Sequence, residues 1–148
     1  MVRQSAFYFP VALLVVLLIS CAGTMQPALF ETKRFPGCEM GDVVAAVTTV
    51  LPEYGYTVST VNEKIGVVST DWKEEAPGGF IFATTSVRRK ISVTVDRETM
   101  KIKMQVIKQK KEKPLFGKEP IWMDEKLSRK DEEVIREMLS KMGKLLEV

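Results

Sequence analysis

Cys21 is the residue whose surroundings most clearly indicate chemistry, because it follows Leu18, Ile19 and Ser20 at the end of an apolar N-terminal segment. The segment has the composition of a secretory signal, with a positive start at Met1–Arg3, an apolar run over Phe7–Ile19 and a small-residue cleavage site. The run is shorter than the ~20 apolar residues that a membrane-spanning helix needs. The sequence therefore predicts a signal peptide over residues 1–20, with an uncut anchor helix as the alternative.

The ending Leu-Ile-Ser-Cys resembles the lipobox of bacterial lipoproteins. In that class the signal is cut before the cysteine, whose sulfur then carries diacylglycerol, so the resemblance implies a covalent lipid on Cys21. Apart from this lipid, we expect no cofactor. Each buried methylene contributes ~0.8 kcal/mol, so several acyl chains hold a protein firmly at a membrane. Ala22, rather than Asp, follows the cysteine, which by resemblance to enterobacterial lipoproteins implies the outer membrane, with the domain facing the periplasm. An ordinary secretory signal beside a chance cysteine is the alternative.

The remaining titratable residues argue against catalysis. The chain holds no histidine, which removes the commonest general acid/base and a common metal ligand. Asp71, Glu74 and Glu75 could do acid/base work or bind Ca²⁺, but they are expected at a strand end and in a loop without convergent partners. The 22 basic and 19 acidic residues are too nearly balanced to indicate nucleic-acid binding. We therefore expect no enzyme activity, no metal and no nucleic acid.

Hydrophobic periodicity predicts one domain over residues 38–148, after a tether over residues 21–37 that contains scattered Pro and Gly. Apolar residues recur at helical spacing over Met40–Tyr54 and again after Ser128, where Ser-x-x-Asp resembles a capping box. Cys38, at the start of the domain, is expected to be either a buried small hydrophobe or a lone thiol able to pair between molecules.

Alternating segments between the two helices predict strands over 56–61, 65–72, 80–95 and 100–110. Arg89 interrupts the apolar face of the third strand and predicts a bulge or the end of burial there. Hairpin-linked strands form an antiparallel sheet, and two amphipathic helices must bury their stripes against its apolar face. The expectation is a two-layer α+β fold of order α-β-β-β-β-α, with both helices on one face of a four-stranded sheet.

Within Asp42–Trp72, a predicted helix ends in Leu-Pro-Glu-Tyr-Gly-Tyr at residues 51–56, and a predicted strand reads Gly-Val-Val-Ser-Thr-Asp-Trp at residues 66–72. With these two motifs the stretch resembles the repeated domain of the BamC/NlpB lipoproteins. Those lipoproteins are accessory subunits of the outer-membrane β-barrel assembly machine, and their domains place two helices on one antiparallel sheet. The resemblance implies this helix-grip arrangement and an accessory role. The chain departs from the family in carrying one such domain, not two, and a short tether.

Aromatic and basic residues supply the candidate binding surface. Trp72 and Trp122 are candidate partner anchors, since Trp is enriched at binding hot spots, although either ring could instead close the end of the core. If the third and fourth strands pair, basic residues collect on the solvent face and could meet anionic lipid, an acidic partner or acidic polysaccharide. The alternative is a solvated face whose lysines discourage edge pairing. The basic candidates are Arg88, Lys90, Lys101 and Lys103, continued by Lys108, Lys110, Lys111 and Lys113.

These observations predict a non-catalytic envelope lipoprotein that the lipid holds at the membrane. It is expected to bind a protein partner and to act as an accessory in outer-membrane protein assembly. The alternative is a carrier of a small hydrophobic ligand such as a lipid. A closed core favours the first function, and a lined cavity of roughly several hundred Å³ favours the second.

Overall fold

The computed structural model describes residues 27–75, 86–112 and 119–147. The expected signal peptide, Cys21, residues 22–26 of the expected tether and residues 80–85 of the expected third strand lie outside the described residues. The described chain forms one antiparallel sheet with two helices, an α+β fold. In chain order the elements are β1 (Ala28–Glu31), α1 (Met40–Glu53), β2 (Val58–Asn62), β3 (Val67–Thr70), β4 (Lys73–Glu75), β5 (Val87–Asp96), β6 (Lys101–Glu112), β7 (Ile121–Asp124) and α2 (Arg129–Leu145).

A long hairpin of β5 and β6 forms the centre of the sheet, and its register is continuous from Val87 opposite Lys110 to Asp96 opposite Lys101. Asp96 stabilises the turn, because its carboxylate accepts hydrogen bonds from the backbone N–H groups of Glu98 at 3.0 Å and Thr99 at 3.2 Å. Short strands flank the hairpin on both sides. β3 and β4 pair with β5, β1 and β7 pair with β6, and β2 lies beyond β3.

The core forms where the two helices bury their apolar stripes against alternate residues of the central strands. The helical intervals of three and four place these side chains on one face of each helix, which is the reason the periodic pattern predicts the helices. The two expected helices and the antiparallel sheet are confirmed. The central core residues, each at most 2% exposed, are Val43, Val47, Leu51, Val68, Ile91, Val93, Ile102, Met104, Ile135, Met138 and Met142.

The prediction of a four-stranded sheet was wrong, because the sheet in the described parts of the chain has seven strands. β1 lies within the expected tether, β4 contains Glu74 and Glu75, which were expected in a loop, and β7 lies between the last expected strand and α2. Each of these strands is three or four residues long, too short to show an alternating pattern of its own. Their pairing with the long hairpin, and not their own composition, makes them strands.

The expected second strand breaks after Thr70. Ser69 lies opposite Ser92 and Lys73 lies opposite Arg89, so this side of the ladder has one more residue than β5 and forms a bulge. The Thr70 hydroxyl fills the break, accepting a hydrogen bond from the Ile91 N–H at 3.0 Å and donating to the Ile91 carbonyl at 3.4 Å. β5 has no bulge at Arg89, because it keeps continuous register with β6. The alternative expectation, the end of burial, agrees with the structure, since Ile91 is the last fully buried residue of this row.

Local chemistry accounts for both helix ends. Ser128 and Asp131 form the expected capping box at the start of α2: the Asp131 N–H donates to the Ser128 hydroxyl, and the Ser128 N–H donates to the Asp131 carboxylate at 2.8 Å. α1 ends at Glu53, directly after Pro52, and Gly55 then adopts a φ of 76°, which favours glycine. Neither described helix is long and apolar enough to cross a membrane.

Candidate functional site

Trp72 and Trp122 lie on the sheet face opposite the helices, with Arg88 between them. The guanidinium carbon of Arg88 is 4.3 Å from the ring centroid of Trp72 and 4.2 Å from that of Trp122, well inside the ~6 Å range of cation–π attraction. The bulge after Thr70 turns Trp72 to this outer face, because Lys73 already points to the helix side with its partner Arg89. Both rings are half-buried. We call these three residues the Trp–Arg stack.

A chain of hydrogen bonds fixes the Trp–Arg stack. Arg88 Nε donates to Gln109 Oε1 at 2.9 Å, and Gln109 Nε2 donates to Asp124 Oδ1 at 2.9 Å. Lys111 places its ammonium 5.6 Å from the ring centroid of Trp122. These contacts link β5, β6 and β7, so the guanidinium is held in position before any partner arrives.

The expected basic face does not form one continuous patch. Lys101 forms an ion pair with Glu31, and Lys103 Nζ lies 3.7 Å from the carboxylate of Asp96. Both lysines lie near the hairpin turn, opposite Thr94 and Asp96, which puts them ~20–26 Å along β5 from Arg88 at ~3.3 Å per residue. Lys90 lies on the outer face near the stack and has no ion-pair partner among the described residues. The structure thus brings Trp72, Arg88 and Trp122 together and leaves Lys101 and Lys103 apart from them.

Lys108 was expected on the solvent face, and this was wrong. It continues the helix-facing row of Ile102, Met104 and Val106, and it lies opposite Arg89 in the register. Lys110 lies two residues after Lys108 in β6 and therefore belongs to the same side of the strand, and Lys113 lies outside the described residues. Two cations, Arg89 and Lys108, therefore follow the buried apolar residues in the core-facing rows of β5 and β6.

Asp131 in the first turn of α2 lies over these two cations. Its carboxylate is 2.6 Å from Arg89 Nη2 and 3.0 Å from Lys108 Nζ. Glu75 lies 2.6 Å from Arg89 Nη1, and Glu125 lies 3.0 Å from Lys108 Nζ. The side chains of Arg89, Lys108 and Asp131 are only 14%, 10% and 8% exposed. We call these five residues the inner ion-pair cluster.

The inner ion-pair cluster keeps Asp131 ionised. Burial opposes the charge, but hydrogen bonds from the Ser128 backbone N–H and from its hydroxyl at 2.7 Å, together with Lys108 and Arg89, lower the pKa of Asp131 to about 2. Burial also disfavours the charge of Lys108, yet its bonds to Glu125 and Asp131 raise its pKa. The cluster joins two cations to three carboxylates, and Lys73 Nζ lies 4.0 Å from the carboxylate of Glu75 as a third cation. These ion pairs fasten the start of α2 to the sheet.

The inner ion-pair cluster was not predicted from the sequence, although its signals are present there. Arg89 interrupts an apolar row, Lys108 continues another, and the capping box ends in Asp131. A charge inside each row requires a counterion from the element packed above it. The first turn of the following helix supplies that counterion.

The three neighbouring carboxylates do not converge. Glu75 points to the helix side and binds Arg89, whereas Glu74 lies opposite Arg88 on the outer strand face and Asp71 is exposed in the bulge. Within the described ranges, no group of three or more His, Cys, Asp or Glu side chains is placed to hold a metal ion.

Cys38 is half-buried against the core, and its thiol donates to the Leu146 carbonyl at 3.6 Å.

A groove of about 800 Å³ lies at the sheet edge between β1 and α2, and we call it the edge groove. Phe30, Phe35 and Leu139 line its apolar floor, and charged side chains of both elements form its rim. Arg136 places its guanidinium 5.6 Å from the ring centroid of Phe30. Between the helices and the centre of the sheet, in contrast, buried apolar side chains of both layers form one cluster.

Fold and site together define an α+β domain with one sheet face covered by helices and an aromatic–cation stack on the other. No protein-family model matches the chain, and no curated protein is similar to it. Among solved structures, a DUF4468 family protein from Bacteroides ovatus is similar at 11% identity and a TM-score of 0.47, over 82% of this chain and 87% of that one.

Proposed function

We propose that the protein is a non-catalytic bacterial lipoprotein that binds a protein partner through the Trp–Arg stack. The lipid on Cys21 anchors it to the outer membrane, facing the periplasm, and the partner belongs to outer-membrane protein assembly. The resemblance to the BamC/NlpB domain, including its helix-grip arrangement, is part of this proposal. Both helices of the described chain share one core with one sheet face, which supports the arrangement although the sheet is larger than expected.

The single observation that carries the proposal is the Trp–Arg stack on a sheet face that no described element covers. Trp and Arg are the residues most enriched at hot spots of protein interfaces. Gln109 and Asp124 hold Arg88 in place, so binding sacrifices little side-chain freedom there. Asp124 and Lys111 border the rings with charges of both signs, which suits the polar rim of a protein interface better than a purely anionic surface.

The position of β1 supports confinement at the membrane. Only residues 22–27 separate Cys21 from the start of β1 at Ala28. At no more than ~3.6 Å per residue, a lipid on Cys21 would hold this sheet edge within ~25 Å of the bilayer surface. Such confinement raises the effective concentration of a membrane-bound partner without any added contact.

The edge groove favours a second candidate function, the carriage of a small hydrophobic ligand. Its volume of about 800 Å³ is sufficient for a small molecule, and its floor is apolar. The groove is open, however, and its rim carries Glu31, Lys33, Arg136 and Lys144. This lining suits a ligand with polar groups along its length better than a bare acyl chain.

The proposal is tested by co-purification of the full-length protein from mild detergent, followed by mass spectrometry. We compare the wild type with Trp72→Ala/Trp122→Ala, and the control Ile65→Ala/Leu145→Ala removes exposed apolar side chains elsewhere, which are 60% and 47% exposed. Loss of hot-spot anchors worth ~2 kcal/mol weakens binding ~30-fold. We therefore expect assembly subunits to co-purify with the wild type and with the control variant, but not with the Trp variant.

Two results would contradict the proposal. Equal recovery of the same subunits by the Trp variant would exclude the Trp–Arg stack as the docking surface. A Cys21→Ala protein that stays in the membrane fraction would exclude the lipid anchor.

A further inference from the structure

The outer edge of β1 carries backbone groups that pair with no strand in the described part of the chain. The Thr32 N–H donates to the Ile102 carbonyl at 2.9 Å, directly across the ladder between β1 and β6. Hydrogen-bonding direction alternates along an antiparallel strand, so Ala28 and Phe30 also direct their N–H and C=O groups toward β6. Those of Leu29 and Glu31 point away from the sheet, toward the open edge.

The opposite edge of the sheet has a different construction. β2 changes register between Val58 and Thr60, and the Ser59 hydroxyl donates to the Ser69 carbonyl at 3.2 Å. A bulge of this kind twists an edge and discourages pairing with another chain. β1, in contrast, keeps an unbroken register with β6 along its whole length, and Leu29 is 54% exposed on it.

The edge groove runs beside this open edge. A strand added to β1 would direct alternate side chains toward the helix side of the sheet, and thus into the space lined by Phe30, Phe35 and Leu139. Gly143, which has no Cβ, widens the floor at the α2 side. Arg136, Lys144 and Glu132 have no ion-pair partner among the described residues, which leaves one net positive charge on the rim and favours an acidic residue in the ligand.

We propose that β1 and the edge groove form a docking site for an extended peptide segment of a partner protein, which adds to the sheet as a further strand. Main-chain hydrogen bonds to Leu29 and Glu31 supply affinity, and the apolar floor selects alternate apolar side chains. The ligand class is therefore an extended segment of alternating apolar and polar residues with at least one acidic residue. This site goes beyond the proposed function, because it lies on the helix side of the sheet edge and shares no residue with the Trp–Arg stack.

The test uses the full-length protein in mild detergent and a displayed library of short capped peptides in which valine or leucine alternates with threonine or glutamate. The readout is the hydrogen-exchange rate of the Leu29 and Glu31 amides, measured by NMR. A peptide that occupies nine-tenths of the protein should slow exchange at both amides ~tenfold, because exchange then proceeds from the free fraction.

Leu29→Pro and Leu29→Ala form the matched pair. Proline removes an N–H that faces the open edge and is not used in pairing with β6, so an edge strand tolerates it, whereas alanine keeps the N–H. We expect Leu29→Pro to lose peptide binding and Leu29→Ala to retain it. Ser140→Trp, at an exposed position of α2 that lines the groove, fills the space without changing the sequence of β1 and should also abolish binding.

The proposal is overturned if no library peptide slows exchange at Leu29 and Glu31, or if Ser140→Trp binds the peptide as the wild type does. If Leu29→Pro unfolds, Ser140→Trp decides alone. Trp72→Ala should bind the peptide normally, which separates a failure here from a failure of the proposed function.

Discussion

Substitution of Asp131 by Asn tests the inner ion-pair cluster. Asn keeps the shape of the side chain but resembles the protonated form of Asp131. The stability lost in the variant therefore follows from the drop in the pKa of Asp131 from 3.8 to about 2. Each pKa unit corresponds to 1.36 kcal/mol, which gives a loss of ~2 kcal/mol in the free energy of unfolding near neutral pH. Arg89 and Lys108 keep Glu75 and Glu125 as partners, so the loss should stay below the ~3–5 kcal/mol of a buried pair that is broken completely.

The pH dependence separates this effect from a general loss of packing. A carboxyl whose pKa is lowered in the folded state stabilises the fold above its unfolded pKa, and this contribution disappears as the pH falls through the folded value. The difference between wild type and Asp131→Asn should therefore be complete above about pH 5, shrink between about pH 4 and pH 2, and fall below ~0.5 kcal/mol at about pH 2.

Urea denaturation followed by circular dichroism measures this difference across the pH range. Asp71→Asn, at an exposed carboxylate, is the control and should stay within ~0.5 kcal/mol of the wild type. A difference between wild type and Asp131→Asn that is constant from neutral to acid pH would refute the reasoning, as would no difference at neutral pH.

Two further predictions concern the bulge and the turn before β3. Thr70→Val should lower the free energy of unfolding by ~2–3 kcal/mol, because the buried N–H and carbonyl of Ile91 lose their hydrogen bonds to the hydroxyl. Thr94→Val, at an exposed position, is the control and should lower it far less in the same thermal unfolding assay. Gly66→Ala should lower the free energy of unfolding by more than the ~1–2 kcal/mol of a left-handed backbone, because φ is 65° and the new Cβ would lie 2.7 Å from Met40 Sδ and 3.0 Å from the Cβ of Val95, which cannot move as a flexible side-chain end can. At Gly37, φ is also positive but a Cβ meets no atom within 4 Å, so Gly37→Ala measures the loss of stability that comes from the backbone conformation alone. Equal losses of stability in both variants would exclude the steric explanation.

The long periodic elements could be predicted from the sequence because each carries its own signal. α1 and α2 repeat apolar residues at helical spacing, and β5 and β6 alternate buried and more exposed residues over 91–95 and 102–106. β1, β4 and β7 could not be predicted in this way. Each becomes a strand only through the hydrogen bonds that the hairpin offers, and that partner is distant in sequence.

The candidate site was predictable in its residue types but not in its arrangement. Trp72, Trp122 and Arg88 could each be selected from the sequence, but their contact depends on the bulge after Thr70 and on the unpredicted strand β7. The assignment of Lys108 to the solvent face failed because the alternation of β6 was not followed past Val106. Lipidation of Cys21 and the identity of the partner remain predictions, since Cys21 lies outside the described residues.

The Trp–Arg stack also has a spectroscopic consequence. The chain contains two tryptophans, and both belong to the stack, so intrinsic emission arises almost entirely from one place on the surface. A ligand on the outer face should shift or quench that emission, whereas a strand bound along β1 should leave it unchanged. The unlabelled protein thus carries its own optical reporter, which can distinguish occupation of one surface from occupation of the other in a single titration.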